Sequence, residues 1–121
     1  MAGGSTVLIV DDNDAVRSVL AAYMSRVAGW STVLAAENGN AAVALAETHT
    51  LDAIVLDNFM PGRAGIDVLP ELRRLCPHAR IVMHTTDDSG DLREQAEASG
   101  ADAVMLKGRP LDELADLLAA A

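Results

Sequence analysis

Three acids, a pair of threonines and one lysine stand far apart in the sequence, yet each closes a short apolar run. Asp11 and Asp12 follow "VLIV", Asp57 follows "AIVL", Thr85 and Thr86 follow "IVMH", and Lys107 follows "AVML". An ionised carboxylate at the end of a buried run is costly unless something compensates it. Two unit charges about 4 Å apart, at an effective dielectric near ~20, repel by about 4 kcal/mol. Acids brought together must therefore take up a proton or share a divalent cation. An oxygen-only set with room for water suits Mg²⁺, which dehydrates reluctantly and shares its shell with phosphate. Zinc does not fit, because neither histidine nor cysteine belongs to the set. Lys107 is the chain's single lysine, every other basic side chain apart from histidine being arginine. Its compact ammonium can hold a phosphoryl oxygen or pair with Asp57.

These side chains meet only if the runs that carry them lie side by side. "TVLIV" (6–10) reads as a buried strand, followed by a helix over 12–28 with Val16, Leu20, Tyr23 and Val27 at spacings of three and four. Gly29 stops that helix. A second strand covers 31–36, and Asn38 and Gly39 open an alanine-rich helix to Thr48. "DAIVLD" (52–57) is the third strand, and a third helix spans 64–76 although Pro70 falls inside it and should end or kink it. Strand four covers 80–85, helix four 88–99 and strand five 102–106, and a last helix opens at Pro110 and runs through "LDELADLLAA". Five strands alternating with five helices imply a parallel sheet covered on both faces. Ligands of such sheets bind beyond the carboxyl ends of the strands, which is where the acids, hydroxyls and lysine stand.

At 121 residues the chain fits one domain over 1–121, and a half-hydrophobic composition excludes intrinsic disorder. Only Tyr23, Trp30 and Phe59 are aromatic, so the core must be aliphatic. A formal net charge of −9 argues against direct nucleic-acid binding. Cys76, the one cysteine, cannot form an internal disulfide and reads as a small apolar residue. No signal peptide and no membrane span is visible, which points to the cytoplasm. His84, among apolar neighbours, reads as a hydrogen-bonded structural histidine; His49 and His78 read as loop residues. Arg73 and Arg74 read as a solvated helix face, and Trp30 as a cover for the sheet edge.

Taken in order, "VLIVDDN", "IVLDNFMPGRAGIDVL", "IVMHTT" and "GADAVMLK" resemble the receiver domain of two-component response regulators over nearly the whole chain. The resemblance implies a flavodoxin-like, doubly wound five-stranded parallel sheet in the order 2-1-3-4-5. It implies that Asp57 accepts a phosphoryl group from a sensor histidine kinase, a histidine phosphotransfer protein or a small acyl phosphate. Asp12 and Asp57 would ligate Mg²⁺ directly, Asp11 largely through water, and the backbone carbonyl of Phe59 would add a ligand. Thr85 and Lys107 would each bind a phosphoryl oxygen. The helix-four, strand-five and helix-five face would then control a downstream protein or an attached output domain. Such a domain is a phosphoacceptor with at most self-phosphorylation and self-dephosphorylation, not an enzyme in the ordinary sense.

Three positions depart from the family's habit. Gly108 follows Lys107 where many members carry proline, Val104 replaces a frequent aromatic, and Thr86 replaces a smaller residue. The missing aromatic leaves the usual two-residue switch incomplete. Phe59 either shields an acyl phosphate at Asp57 or caps the core. A phosphorylation-independent interaction module of the same fold is the competing reading, and it requires a degraded acid pocket. A haloacid-dehalogenase-like phosphatase needs a second aspartate where Phe59 stands, and a flavodoxin-like flavin binder needs a phosphate-cradling loop that does not follow strand one.

Overall fold

Each apolar run that ends in a candidate side chain is a strand in the computed structural model, which describes residues 5–119. The elements are β1 (Thr6–Val10), α1 (Asp14–Arg26), β2 (Thr32–Ala36), α2 (Gly39–Thr48), β3 (Ala53–Leu56), α3 (Gly65–Leu75), β4 (Arg80–Thr85), α4 (Gly90–Ala98), β5 (Ala103–Leu106) and α5 (Leu111–Ala119). All strands are parallel, in one sheet ordered β2-β1-β3-β4-β5, as the resemblance implies. Ala120, to which the sequence extends the last helix, lies outside the described residues.

Alternation along the strands divides the core into two layers. Leu8, Val10, Ile54, Leu56, Ile81 and Met83 pack with Val68, Leu69 and Leu72 of α3, Ala42 of α2 and Leu92 of α4. On the opposite face Val7, Ile9, Val55, Val82 and Met105 pack with Leu20 and Met24 of α1 and Leu114 and Leu118 of α5. Trp30 packs against this second layer. Full burial of each such side chain contributes about 1.5–3 kcal/mol, so the strands that aim the candidate residues are also the most firmly held parts of the chain.

Several helices start later than the sequence reading because residues expected inside them cap them instead. Asn13 Oδ1 accepts the Val16 N–H at 3.0 Å, and Ser89 Oγ accepts the Leu92 N–H at 3.2 Å. Such caps stand outside the helix proper, which leaves Asp12 and Asp88 on loops. Asp52 is not part of β3; its carboxylate accepts the Thr6 N–H at 2.8 Å. Pro70 does lie inside α3, on its exposed side, and the helix continues to Leu75. Burial of Val68, Leu69 and Leu72 outweighs the one lost backbone bond.

Arg73 corrects the solvated-face reading. Its guanidinium donates to the carbonyls of Gly100 (2.8 Å), Ala79 (2.7 Å) and Cys76 (3.2 Å) and to Asp102 Oδ2 (2.8 Å), clamping the end of α3 to the turns before β4 and β5. Arg74 is exposed, as expected, and Cys76 is buried in the first layer. His84 is buried too, but among the described residues neither ring nitrogen has a hydrogen-bond partner, contrary to expectation.

Candidate functional site

Asp11 leaves β1 at the rim of the sheet, its N–H donating to the Ala36 carbonyl at 3.1 Å. Asp57 leaves β3 beside it, its N–H donating to the Val10 carbonyl at 2.9 Å. These backbone bonds extend the ladder by one residue past each strand and so fix where the two carboxylates project. Both are almost wholly buried, whereas Asp12 is exposed. Each of the three offers a carboxylate oxygen, and those oxygens all lie within 4.8 Å of one another. The convergence expected from strand order is present.

Lys107 enters from the end of β5, where its N–H donates to the Thr85 carbonyl at 2.8 Å. Its ammonium bridges two of the acids, 2.8 Å from Asp11 Oδ2 and 3.3 Å from Asp57 Oδ1. Both acids therefore share the ammonium. Gly108 next to it has φ +94°, the left-handed region open to glycine, which turns the chain away from the lysine toward α5. Thr85 is fully buried, and its Oγ1 accepts the Asp87 N–H at 3.2 Å. Thr86 is exposed at the rim.

The loop after Asp57 is fastened by a residue that pattern reading passed over. Asn58 is buried; its Oδ1 accepts the Ile66 N–H and its carbonyl the Gly65 N–H, both at 3.0 Å. An Asn just before a turn is a known local signal for such bonds. Phe59, one residue on, sends its N–H to Asp57 Oδ1 at 3.4 Å and leaves its side chain 54% exposed. That exposure speaks against a core-capping role.

Burial raises the proton affinity of Asp57, the Asp11 charge raises it further, and Lys107 opposes both. For Lys107, burial favours the neutral amine, but the Asp11 hydrogen bond and the two negative charges more than offset it, so it holds its proton more tightly than usual. Three carboxylates facing one ammonium leave two negative charges in excess. A divalent cation would neutralise them, and the all-oxygen donor set fits a hard ion.

A stability effect follows. A carboxyl whose folded-state pKa is raised destabilises the fold while ionised, and the penalty fades as pH falls through the folded pKa. In chelator, Asp57→Asn is expected to raise Tm by a few degrees at neutral pH, with the gain shrinking in acid. Added Mg²⁺ should stabilise the wild-type protein more than the variant. Thermal unfolding with and without Mg²⁺ checks this, and a variant less stable than wild type in chelator would contradict it.

The sequence profile of the response regulator receiver domain matches residues 7–119. The transcriptional regulatory protein PdtaR of Mycobacterium tuberculosis is 38% identical over 110 residues, covering 89% of this chain and 52% of PdtaR. Among solved structures, a response regulator from Burkholderia pseudomallei with a phosphorylated aspartic acid, calcium ion and citrate superposes with TM-score 0.89 at 28% identity, covering 95% of this chain and 66% of that one. The chemotaxis protein CheY4 of Vibrio cholerae, crystallised at low pH, superposes with TM-score 0.83 at 28% identity, covering 93% of each chain. The chain spans about half the length of the curated relatives it matches.

Proposed function

The chain belongs to the response regulator receiver domain family, and from that premise we propose that residues 1–121 form one receiver domain with Asp57 as its phosphoacceptor. The observation that carries this is the meeting of Asp11, Asp12 and Asp57 within 4.8 Å under the Lys107 ammonium. An Asp57 carboxylate oxygen attacks the phosphorus of a phosphohistidine or acyl phosphate. A new P–O bond forms, the donor's P–N or P–O bond breaks, and the leaving group departs with the electron pair. No general base is required, because the nucleophile is already ionised.

Asp12, Asp57 and the Phe59 carbonyl would hold Mg²⁺, with Asp11 acting through water; the ion supplies positive charge opposite the transferring phosphoryl group. Lys107 turns from the Asp57 carboxylate to a phosphoryl oxygen, and the Thr85 hydroxyl, whose Oγ1 accepts the Asp87 N–H, donates its O–H to another phosphoryl oxygen. Phosphorylation adds about −1.5 to −2 units of charge at the rim. The readout runs through α4, β5 and α5, where Arg93 of α4 already donates to the Val104 carbonyl at 3.2 Å. With Val104 in place of an aromatic, this hydrogen bond ties an α4 side chain to the β5 backbone beside the packing of Leu92 and Ala96 with Val104. The donor is a sensor histidine kinase or a phosphotransfer protein, and the output is a partner protein or an attached domain. Among the described residues no helix is long and apolar enough to cross a membrane; the proposed place of action is the cytoplasm.

Incubation with Mg²⁺ and acetyl phosphate should give a single acid-stable, base-labile phosphoryl adduct by intact mass. A well-folded protein without adduct would instead fit the phosphorylation-independent module. Turnover should be limited to self-phosphorylation and self-dephosphorylation.

Phe59 shapes the lifetime of that adduct. With its backbone N–H on the Asp57 carboxylate and its side chain half exposed, Phe59 would block one approach of water to the acyl phosphate. Phe59→Asn is expected to speed autodephosphorylation about tenfold, equivalent to ~1.4 kcal/mol of barrier. An unchanged or slower rate would remove the shielding role.

A further inference from the structure

Among the buried polar side chains of the described residues, His84 is the one whose ring atoms have no hydrogen-bond partner. It is 4% exposed, and neither Nδ1 nor Nε2 has a hydrogen-bond partner. A neutral imidazole always carries one N–H donor and one lone pair, so both are desolvated for nothing in the state described here. Unpaired buried groups of this kind are exceptional and ask for a reason.

The position of the ring supplies one. Alternation along β4 puts Met83 and Thr85 on the α3 side, and Val82 and His84 on the α1/α5 side. Leu56 pairs with Met83, so the next residues in the two strands, Asp57 and His84, stand side by side. His84 itself pairs with Met105, two residues before Lys107. Lys107 is thus a same-face diagonal neighbour of His84, roughly 7–8 Å away by backbone and within reach of a long side chain. After burial, the Lys107 charge is the strongest influence lowering the ring's proton affinity, which falls from 6.5 to about 4 against a smaller opposing pull from Asp11. The imidazole is neutral at physiological pH, with a lone pair to offer.

Lys107 has a donor to match. Its ammonium carries three N–H groups, and its two protein acceptors are Asp11 and Asp57. We propose that His84 is a positioning residue for phosphoryl transfer, its ring nitrogen accepting a hydrogen bond from Lys107 when the lysine turns from the Asp57 carboxylate to the phosphoryl group. The bond is absent in the resting protein and made during and after transfer, so its whole contribution favours the transfer and the phosphorylated state. The inference rests on the phosphoacceptor reading above.

Phosphorylation by acetyl phosphate with Mg²⁺ is followed by intact mass for the wild-type protein, His84→Leu and His84→Gln, beside thermal unfolding of each. Leucine removes the uncompensated polar group and is expected to raise Tm while slowing phosphorylation about tenfold. Glutamine, which keeps an acceptor, should recover most of that rate. A histidine with a purely packing role predicts no separation of rate from stability. Phosphorylation of His84→Leu at the wild-type rate, or equal loss in both variants, overturns the proposal. A second readout needs no variant: the ¹⁵N shift of the accepting ring nitrogen in the wild-type protein should move when Mg²⁺ and beryllofluoride are added, and an unmoved shift also overturns it. If the wild-type protein itself forms no adduct, the phosphoacceptor reading fails instead, which keeps the two failures apart.

Discussion

Replacing Asp57 with asparagine is expected to abolish the phosphoryl adduct outright while leaving the protein folded. The amide oxygen carries no full charge to attack phosphorus, and loss of a covalent nucleophile reduces reaction by on the order of a thousandfold or more. The neighbouring acids are poorly placed to take over. Asp11 Oδ2 is held by Lys107 at 2.8 Å and Oδ1 by the Asn13 N–H at 2.9 Å, so both its oxygens are engaged. Asp12 is exposed and lacks the lysine contact that Asp11 and Asp57 share. Intact mass after incubation with Mg²⁺ and acetyl phosphate decides the matter, and an adduct persisting in Asp57→Asn would transfer the acceptor role to another side chain. The same substitution should stabilise the metal-free protein, since it removes a buried carboxylate repelled by Asp11. Gain of stability with loss of reaction is the expected signature of a site whose charges are assembled for chemistry.

The acid cluster was legible because its cause is simple. A parallel strand buried on both faces reads as an unbroken apolar run, and the first polar residue after it must lie at the sheet's rim; Asp11, Asp57 and Lys107 all obey this. Strand order, however, came from the resemblance, since periodicity does not say which run lies beside which. Helix starts fall later than the pattern suggests where a capping side chain is itself compatible with the first helical turn, as at Asn13 and Ser89. Arg73 and His84 depart from the sequence expectation for a shared reason. Spacing tells which face a residue occupies but not which partners wait there. Arg73 meets the carbonyls of Cys76, Ala79 and Gly100 at the turns it spans, while the ring nitrogens of His84, on the α1/α5 face, meet no hydrogen-bond partner.

A methyl group added at Gly65 is expected to damage both stability and reaction more than any other single small change near the site. Gly65 closes the "DNFMPGRAG" stretch that begins at Asp57, and it begins α3 directly against the end of β3. A Cβ there would stand 2.2 Å from the Asp57 carbonyl oxygen and 3.0 Å from Asn58 Cα. Both obstacles are backbone, so no rotamer change relieves them. The two bonds that stitch this junction, Gly65 N–H to the Asn58 carbonyl and Ile66 N–H to Asn58 Oδ1, would have to lengthen together. Overpacking of this kind costs about 3 kcal/mol or more, which lowers Tm by roughly 10 °C or more. The displaced carbonyl belongs to the nucleophile itself. A shift of ~1 Å there is worth about a hundredfold in rate, so the molecules still folded should also phosphorylate slowly. Gly90→Ala is the matched control, because a Cβ at that helix start meets nothing within 4 Å and alanine is the better helix former. Gly65→Ala should therefore fall well below wild type in both thermal unfolding and adduct formation while Gly90→Ala stays level or rises. A Gly65→Ala protein with unchanged Tm would mean that α3 can withdraw from β3 freely, and the rigid aim of Asp57 would then need another source.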